Sequence, residues 1–215
     1  MKIFSLLILF IIFLACSQNQ QPKKHIPDPK AKQLYDSAAK NTLKSEDAIA
    51  LLDRAIQIDR NYYGAYKRKL RYQITLRRFD DALITAKNVV RLGPDNPDNY
   101  TTMGVLLDKK GDTITARGYY RKAIKKIDRI LDTMSKRNFD YDFLLMTKGV
   151  NLVLLGEQEK ANRIWKSQQG TDPETIVFSN SMGKSRRQLL DTYFFADTTT
   201  VDAYSAPTVE IKTDH

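Results

Sequence analysis

The 215-residue sequence points to an all-α protein assembled from repeated helical hairpins. Three observations carry this reading. Ala48, Ala82, Ala116 and Ala161 mark four similar segments at successive spacings of 34, 34 and 45 residues. Apolar residues recur at helical spacing within a segment, as Met103, Leu106 and Leu107 on one stretch and Ala116, Tyr120, Ala123, Ile124 and Ile127 on the next. Gly111 stands between those stretches, where a glycine ends a helix in the left-handed conformation. One hairpin alone leaves an apolar face bare, so neighbouring hairpins must stack to make a core.

The N-terminus comes first. Lys2 precedes "IFSLLILFIIFLA", which is apolar except for Ser5. As a helix this run rises ~20 Å, short of the ~30 Å bilayer core. A basic start, a short apolar centre and a small residue at its end read as a secretory signal peptide over residues 1–15. Cys16, the only cysteine, follows at once in "FLACSQNQ". This stretch resembles the lipobox of bacterial lipoproteins: Ala15 and Cys16 match, while Phe13 and Leu14 depart from the usual residues. The resemblance implies acylation of Cys16 and a membrane anchor, and Ser17 after the cysteine implies the outer membrane, facing the periplasm. Ordinary cleavage after Ser17 satisfies the same small-residue spacing and would release a soluble protein. A mature domain without thiols suits an oxidising compartment. Residues 16–30 are polar and proline-bearing, and are expected to form a flexible tether. The lysines near the anchor, Lys23, Lys24, Lys30 and Lys32, face either an anionic bilayer or solvent.

Residues 31–173 carry the repeats. Small residues occur as Gly104 and Gly149, turn glycines as Gly111 and Gly156, aromatics as Tyr120 and Trp165, further alanines as Ala55 and Ala123, and closing prolines as Pro94 and Pro173. With the four marker alanines, this resembles the tetratricopeptide repeat (TPR). The resemblance implies a right-handed solenoid of about four helical hairpins, each with an A and a B helix. Leu70 and Asp36 depart from it where a small residue is expected, and Arg60 stands where the first repeat should close with proline. Eleven extra residues separate repeats 3 and 4. They predict a longer B helix in repeat 3 and a longer A helix in repeat 4, with Phe139, Tyr141 and Phe143 near a projecting tip or packed on one another. Residues 174–195 are expected to cap the last repeat through Leu189, Leu190, Tyr193 and Phe194. Residues 196–215, Thr-rich and mildly acidic, are expected to be a disordered tail.

The catalytic inventory is thin. The two histidines, His25 and His215, lie outside the repeats, so no Ser-His-Asp or Cys-His set can form within them and no Cys/His metal cluster is expected. "DNPDN" at 95–99 lacks the glycine and closing glutamate of a calcium loop. "NSMGKS" at 180–185 has Phe178 where a phosphate loop needs its first glycine. The chain is therefore expected to be no enzyme and to hold no cofactor. Its net charge of +10 would suit nucleic acid, but export argues against that.

A binding groove remains. By the resemblance, four positions of each A helix face a concave surface: Lys30, Gln33, Ser37 and Lys40; Gly64, Lys67, Arg71 and Ile74; Asp98, Thr101, Val105 and Asp108; Phe143, Met146, Val150 and Val153. The groove should run from basic to apolar, with Lys40, Lys67, Arg68, Arg71, Met146 and Val150 as contact residues. It would suit a protein or peptide partner that is acidic at one end. The basic cluster has no acidic neighbour on its own helix, so its counter-charge is expected from the partner. Alternatively, the C-terminal segment covers the apolar row. The function expected is a lipid-anchored envelope module that scaffolds or escorts another protein. The competing expectation is a periplasmic immunity protein that neutralises one toxin or enzyme.

Overall fold

The computed structural model describes residues 25–40, 44–136, 138–167 and 183–195. The signal segment, Cys16, most of the tether, the 174–182 part of the capping segment and the 196–215 tail lie outside the described residues. Nine helices are described: α1 (Pro29–Ala38), α2 (Ser45–Ile58), α3 (Tyr63–Thr75), α4 (Phe79–Leu92), α5 (Pro97–Lys109), α6 (Thr113–Thr133), α7 (Phe139–Leu155), α8 (Gln158–Ser167) and α9 (Arg186–Phe195). From α1 to α8, each helix packs on its neighbours in the chain. They form four hairpins whose A helices are α1, α3, α5 and α7, an all-α solenoid as the repeat spacing implies.

The helix starts are built from local polar residues. Asp28 and Asn96 accept backbone N–H bonds, and each is followed by a proline at the first helical position, where a missing N–H costs nothing. "DNPDN" is thus the start of α5. Asp112 and Asn138 cap α6 and α7 in the same way.

Three A helices end in one motif. The backbone N–H of Arg78, Asp112 and Glu157 reaches back to the carbonyls of Gln73, Leu107 and Leu152. Just before each donor sits a left-handed residue: Arg77 at φ 59°, Gly111 at 85° and Gly156 at 86°. Repeat 2 therefore keeps the turn without its glycine, and Arg77 takes a conformation that its Cβ disfavours.

The marker alanines Ala48, Ala82, Ala116 and Ala161 are all fully buried. Gly104 and Gly149 face the aromatic of their own B helix. A Cβ on Gly104 would sit 2.5 Å from the Tyr120 ring, and one on Gly149 would come closer still to Trp165. Tyr120 and Trp165 are buried core residues. The inserted eleven residues lengthen two helices: α6 has 21 residues against 14 in α2 and α4, and α7 has 17 against 13 in α3 and α5.

The tether boundary shifts. α1 begins at Pro29, and residues before it are tied to the solenoid. His25 Nε2 lies 2.8 Å from Asp59 Oδ2, and the Asp28 N–H donates to the same oxygen at 3.1 Å. The Asn61 N–H donates to the other oxygen at 3.0 Å. Asp59 is buried, which alone would raise its pKa, but the His25 contact and the two backbone donors hold it below the usual carboxylate value. A polar composition did not leave residues 25–30 free, because one buried carboxylate gathers them.

Candidate functional site

The site is the face formed by the A helices. Its exposure falls along the chain. In repeat 1, Lys30, Gln33 and Lys40 are exposed; in repeats 3 and 4, Thr101, Val105, Met146 and Val153 are buried. The cause is α9. Its principal neighbours are α3, α5 and α7, the A helices of repeats 2, 3 and 4. The segment expected to cap the last repeat packs on that repeat's A helix and reaches on to those of repeats 2 and 3, in line with the alternative expectation that it covers the apolar row. The expectation of a cap had only the apolar stripe to go on, and a stripe does not say which bare face it covers.

α9 is built for this seat. Ser185 and Gln188 bond reciprocally, Ser185 N–H to Gln188 Oε1 at 2.7 Å and Gln188 N–H to Ser185 Oγ at 3.3 Å, and this capping box starts the helix. The "GKS" of the phosphate-loop-like stretch is therefore a helix start. Leu189 is buried in the main apolar cluster with Met146 and Val153, and Leu190 packs against it. Tyr193 and Phe194 belong to α9, but their side chains lie outside what is described.

Arg186 anchors the helix. Its Nη2 donates to Asp108 Oδ1 at 2.6 Å and its Nε to the Leu154 carbonyl at 2.9 Å. The Asp108 side chain is 1% exposed and also accepts the Tyr120 hydroxyl at 2.6 Å. The Leu154 carbonyl belongs to the last turn of α7, where helix carbonyls lack intrahelical partners and the dipole is negative. Arg117 takes the neighbouring Leu155 carbonyl at 2.8 Å. Asp108 was legible as a groove position, whereas Arg186 was not, because nothing local links residues 78 apart.

The basic cluster is rearranged. Arg68 is not a free groove cation. Its Nη2 donates to the Tyr35 hydroxyl at 3.1 Å, its guanidinium lies 4.7 Å from that ring's centre, and it ties repeat 2 to repeat 1. Lys67 is exposed and its ammonium lies 5.8 Å from the Tyr63 ring centre. Desolvation lowers its pKa, and Asp98 of the next repeat opposes that shift; burial correspondingly raises the Asp98 carboxyl, with Lys67 opposing. Asp98, one repeat away, is the acidic group that faces Lys67 from outside its own helix. Arg71 is half-buried and has its own contact within the fold. Lys40 remains open, beside a shallow hollow lined by Gln33, Asp36 and Ser37.

The apolar end is closed. Met146 is buried in the main cluster and Val150 packs against it, so neither is an open contact residue. Phe143 packs against the same cluster rather than standing at a tip, and Tyr141 is half-buried. Phe139 opens α7, and its side chain lies outside what is described. Lengthening both helices kept their apolar stripes in register, which drew Phe143 inward.

A polar pair escaped sequence reasoning. Fully buried Asn151 donates from Nδ2 to Thr101 Oγ1 and to the Thr147 carbonyl, both at 2.9 Å, and joins the A helices of repeats 3 and 4. Asn99 does similar work beside Gly93, donating to its carbonyl at 2.7 Å and accepting the Tyr63 hydroxyl at 3.0 Å. Among the described residues, no group of three His, Cys, Asp or Glu side chains is placed to hold a metal ion.

No protein-family model matches the chain, and no curated protein matches it. Solved structures do. A crystal structure of MamA is 19% identical, covering 65% of this chain and 77% of that one at a TM-score of 0.46. MamA from Desulfovibrio magneticus RS-1 is 15% identical, covering 72% and 78% at 0.44. YrrB, described as a TPR protein with an unusual peptide-binding site, is 18% identical, covering 80% and 87% at 0.43. The solenoid assignment itself rests on the four hairpins, the repeated helix ends and the glycine–aromatic contacts of this chain.

Proposed function

We propose that the protein is a lipid-anchored, envelope-facing interaction module that holds or escorts a partner protein through its A-helix face. One observation carries the reading: that face already accepts a helical segment, α9, laid across α3, α5 and α7. The open end of the face, at Gln33, Ser37 and Lys40, offers a polar and basic entry for an acidic stretch of the partner. Cys16 in its lipobox-like setting supports the anchor, and Ser17 after it supports the outer membrane, facing the periplasm, as the site.

A photo-crosslinking amino acid at Lys40 tests the reading in living cells, with Lys125 on the exposed side of α6 as the control. A discrete protein adduct at Lys40 and none at Lys125 is expected. An adduct at Lys125 alone would sink the A-helix face as the binding surface.

A further inference from the structure

We propose that the A-helix face is built to seat an amphipathic helix bearing arginine followed three and four positions later by leucine, and that Arg186, Leu189 and Leu190 are the resident copy which such a partner displaces. This rests on the function proposed above and specifies the chemistry of the partner.

The seat is defined by what it demands. The Asp108 carboxylate is almost wholly buried, and among the described residues its hydrogen-bond donor besides Arg186 is the neutral Tyr120 hydroxyl. A buried carboxylate stripped of its cation is strongly unfavourable. Beside it, the Leu154 carbonyl ends α7 and needs a donor. The two acceptors take Nη2 and Nε of one guanidinium. A planar fork spans both at once, and a lysine ammonium, a point charge, reproduces that geometry poorly. Next to this polar seat, Leu189 and Leu190 meet the apolar cluster, and positions i, i+3 and i+4 share one helix face. Any helix that replaces α9 must therefore bring its own guanidinium and its own pair of aliphatic side chains in this register. The ion pair selects the partner, because expelling α9 without supplying a new cation leaves Asp108 uncompensated.

The test uses the full chain and a labelled peptide copying residues 183–195. Leu189→Asp in the full chain should unseat α9 while leaving Asp108 and Leu154 intact; Arg186→Gln is a second opened form should the first fold poorly. By fluorescence anisotropy, the peptide should bind an opened chain at least tenfold tighter than the wild-type chain. A peptide carrying Arg186→Lys should lose at least tenfold. Asp108→Asn in the full chain should speed amide hydrogen exchange in 186–195 and yet leave the peptide unbound, since both occupants need the same carboxylate. Equal binding to opened and wild-type chains, equal binding of the lysine peptide, or no binding to either opened form would overturn the proposal. So would a wild-type dimer by sedimentation, which would assign the seat to the tail of a second copy. Failure here with the Lys40 crosslink intact removes this inference alone, whereas peptide binding without any crosslink removes the functional reading.

Discussion

Two glycine-to-alanine changes on adjacent helices should move stability in opposite directions. In a helix interior, alanine is better than glycine by about 1 kcal/mol. Gly118 lies in α6 with nothing within 4 Å of where its Cβ would be, so Gly118→Ala should realise most of that gain. Gly104 in α5 would place its Cβ 2.5, 2.8 and 3.0 Å from Cε1, Cδ1 and Cζ of Tyr120. That ring is fully buried, so it cannot swing clear into solvent. Overpacking of this kind costs about 1–3 kcal/mol. Shifting the ring also strains the 2.6 Å bond from its hydroxyl to Asp108, and a hydrogen bond to a charged group is worth about 1.5–3 kcal/mol. Set against the propensity gain, Gly104→Ala should lose about 2–4 kcal/mol. For a chain of this size that lowers Tm by at least about 4 °C, read by far-UV circular dichroism. Hydrogen exchange in α9 should also quicken, because Asp108 connects Tyr120 to Arg186. If Gly104→Ala and Gly118→Ala stabilise equally, the close crossing of α5 and α6 is wrong.

Arg77→Gly should stabilise by about 1 kcal/mol in urea unfolding, because glycine takes the left-handed turn without the Cβ penalty; an equal destabilisation would show that the Arg77 side chain outweighs its backbone. Asp59→Asn should cost about 1–3 kcal/mol at neutral pH. Since the Asp59 pKa is lowered on folding, the wild-type advantage should be full above about pH 5 and shrink as the pH falls through the depressed value; a difference that grows in acid would contradict the His25–Asp59 tie. Asn151→Ala should cost about 1–3 kcal/mol by leaving the Thr101 hydroxyl only its long 3.4 Å bond to the Pro97 carbonyl, and Thr101→Val in that background should recover part of it, as a double-mutant cycle would reveal. Cys16→Ser should move the protein from the membrane to the soluble fraction and end incorporation of labelled fatty acid; a mature N-terminus at Gln18 would exclude the anchor.

The repeat was legible because its signals are local. The Ala48, Ala82, Ala116 and Ala161 spacing, Gly111 and Gly156 at helix ends, and Gly104 opposite Tyr120 all arise within about one hairpin, and a hairpin packs mainly on itself and its neighbours. The same locality made the lengthened α6 and α7 readable from an 11-residue excess. The candidate site was less legible. Lys40 and Lys67 are exposed as expected of groove positions, but Arg68 is not, since the tyrosine that claims it stands 33 residues earlier.

Local spacing in this sequence is enough to specify the hairpins and to mark Asp108 as a groove position. Folding in three dimensions decided which of those positions stay open. Arg186 meets Asp108 and Leu154 only after the chain has turned back across α3, α5 and α7. A buried carboxylate accepts whichever cation reaches it with the right geometry. No periodicity encodes that meeting, because its energy comes from a charge-assisted hydrogen bond at a buried carboxylate, which offsets the cost of desolvation, and not from the propensity of either segment.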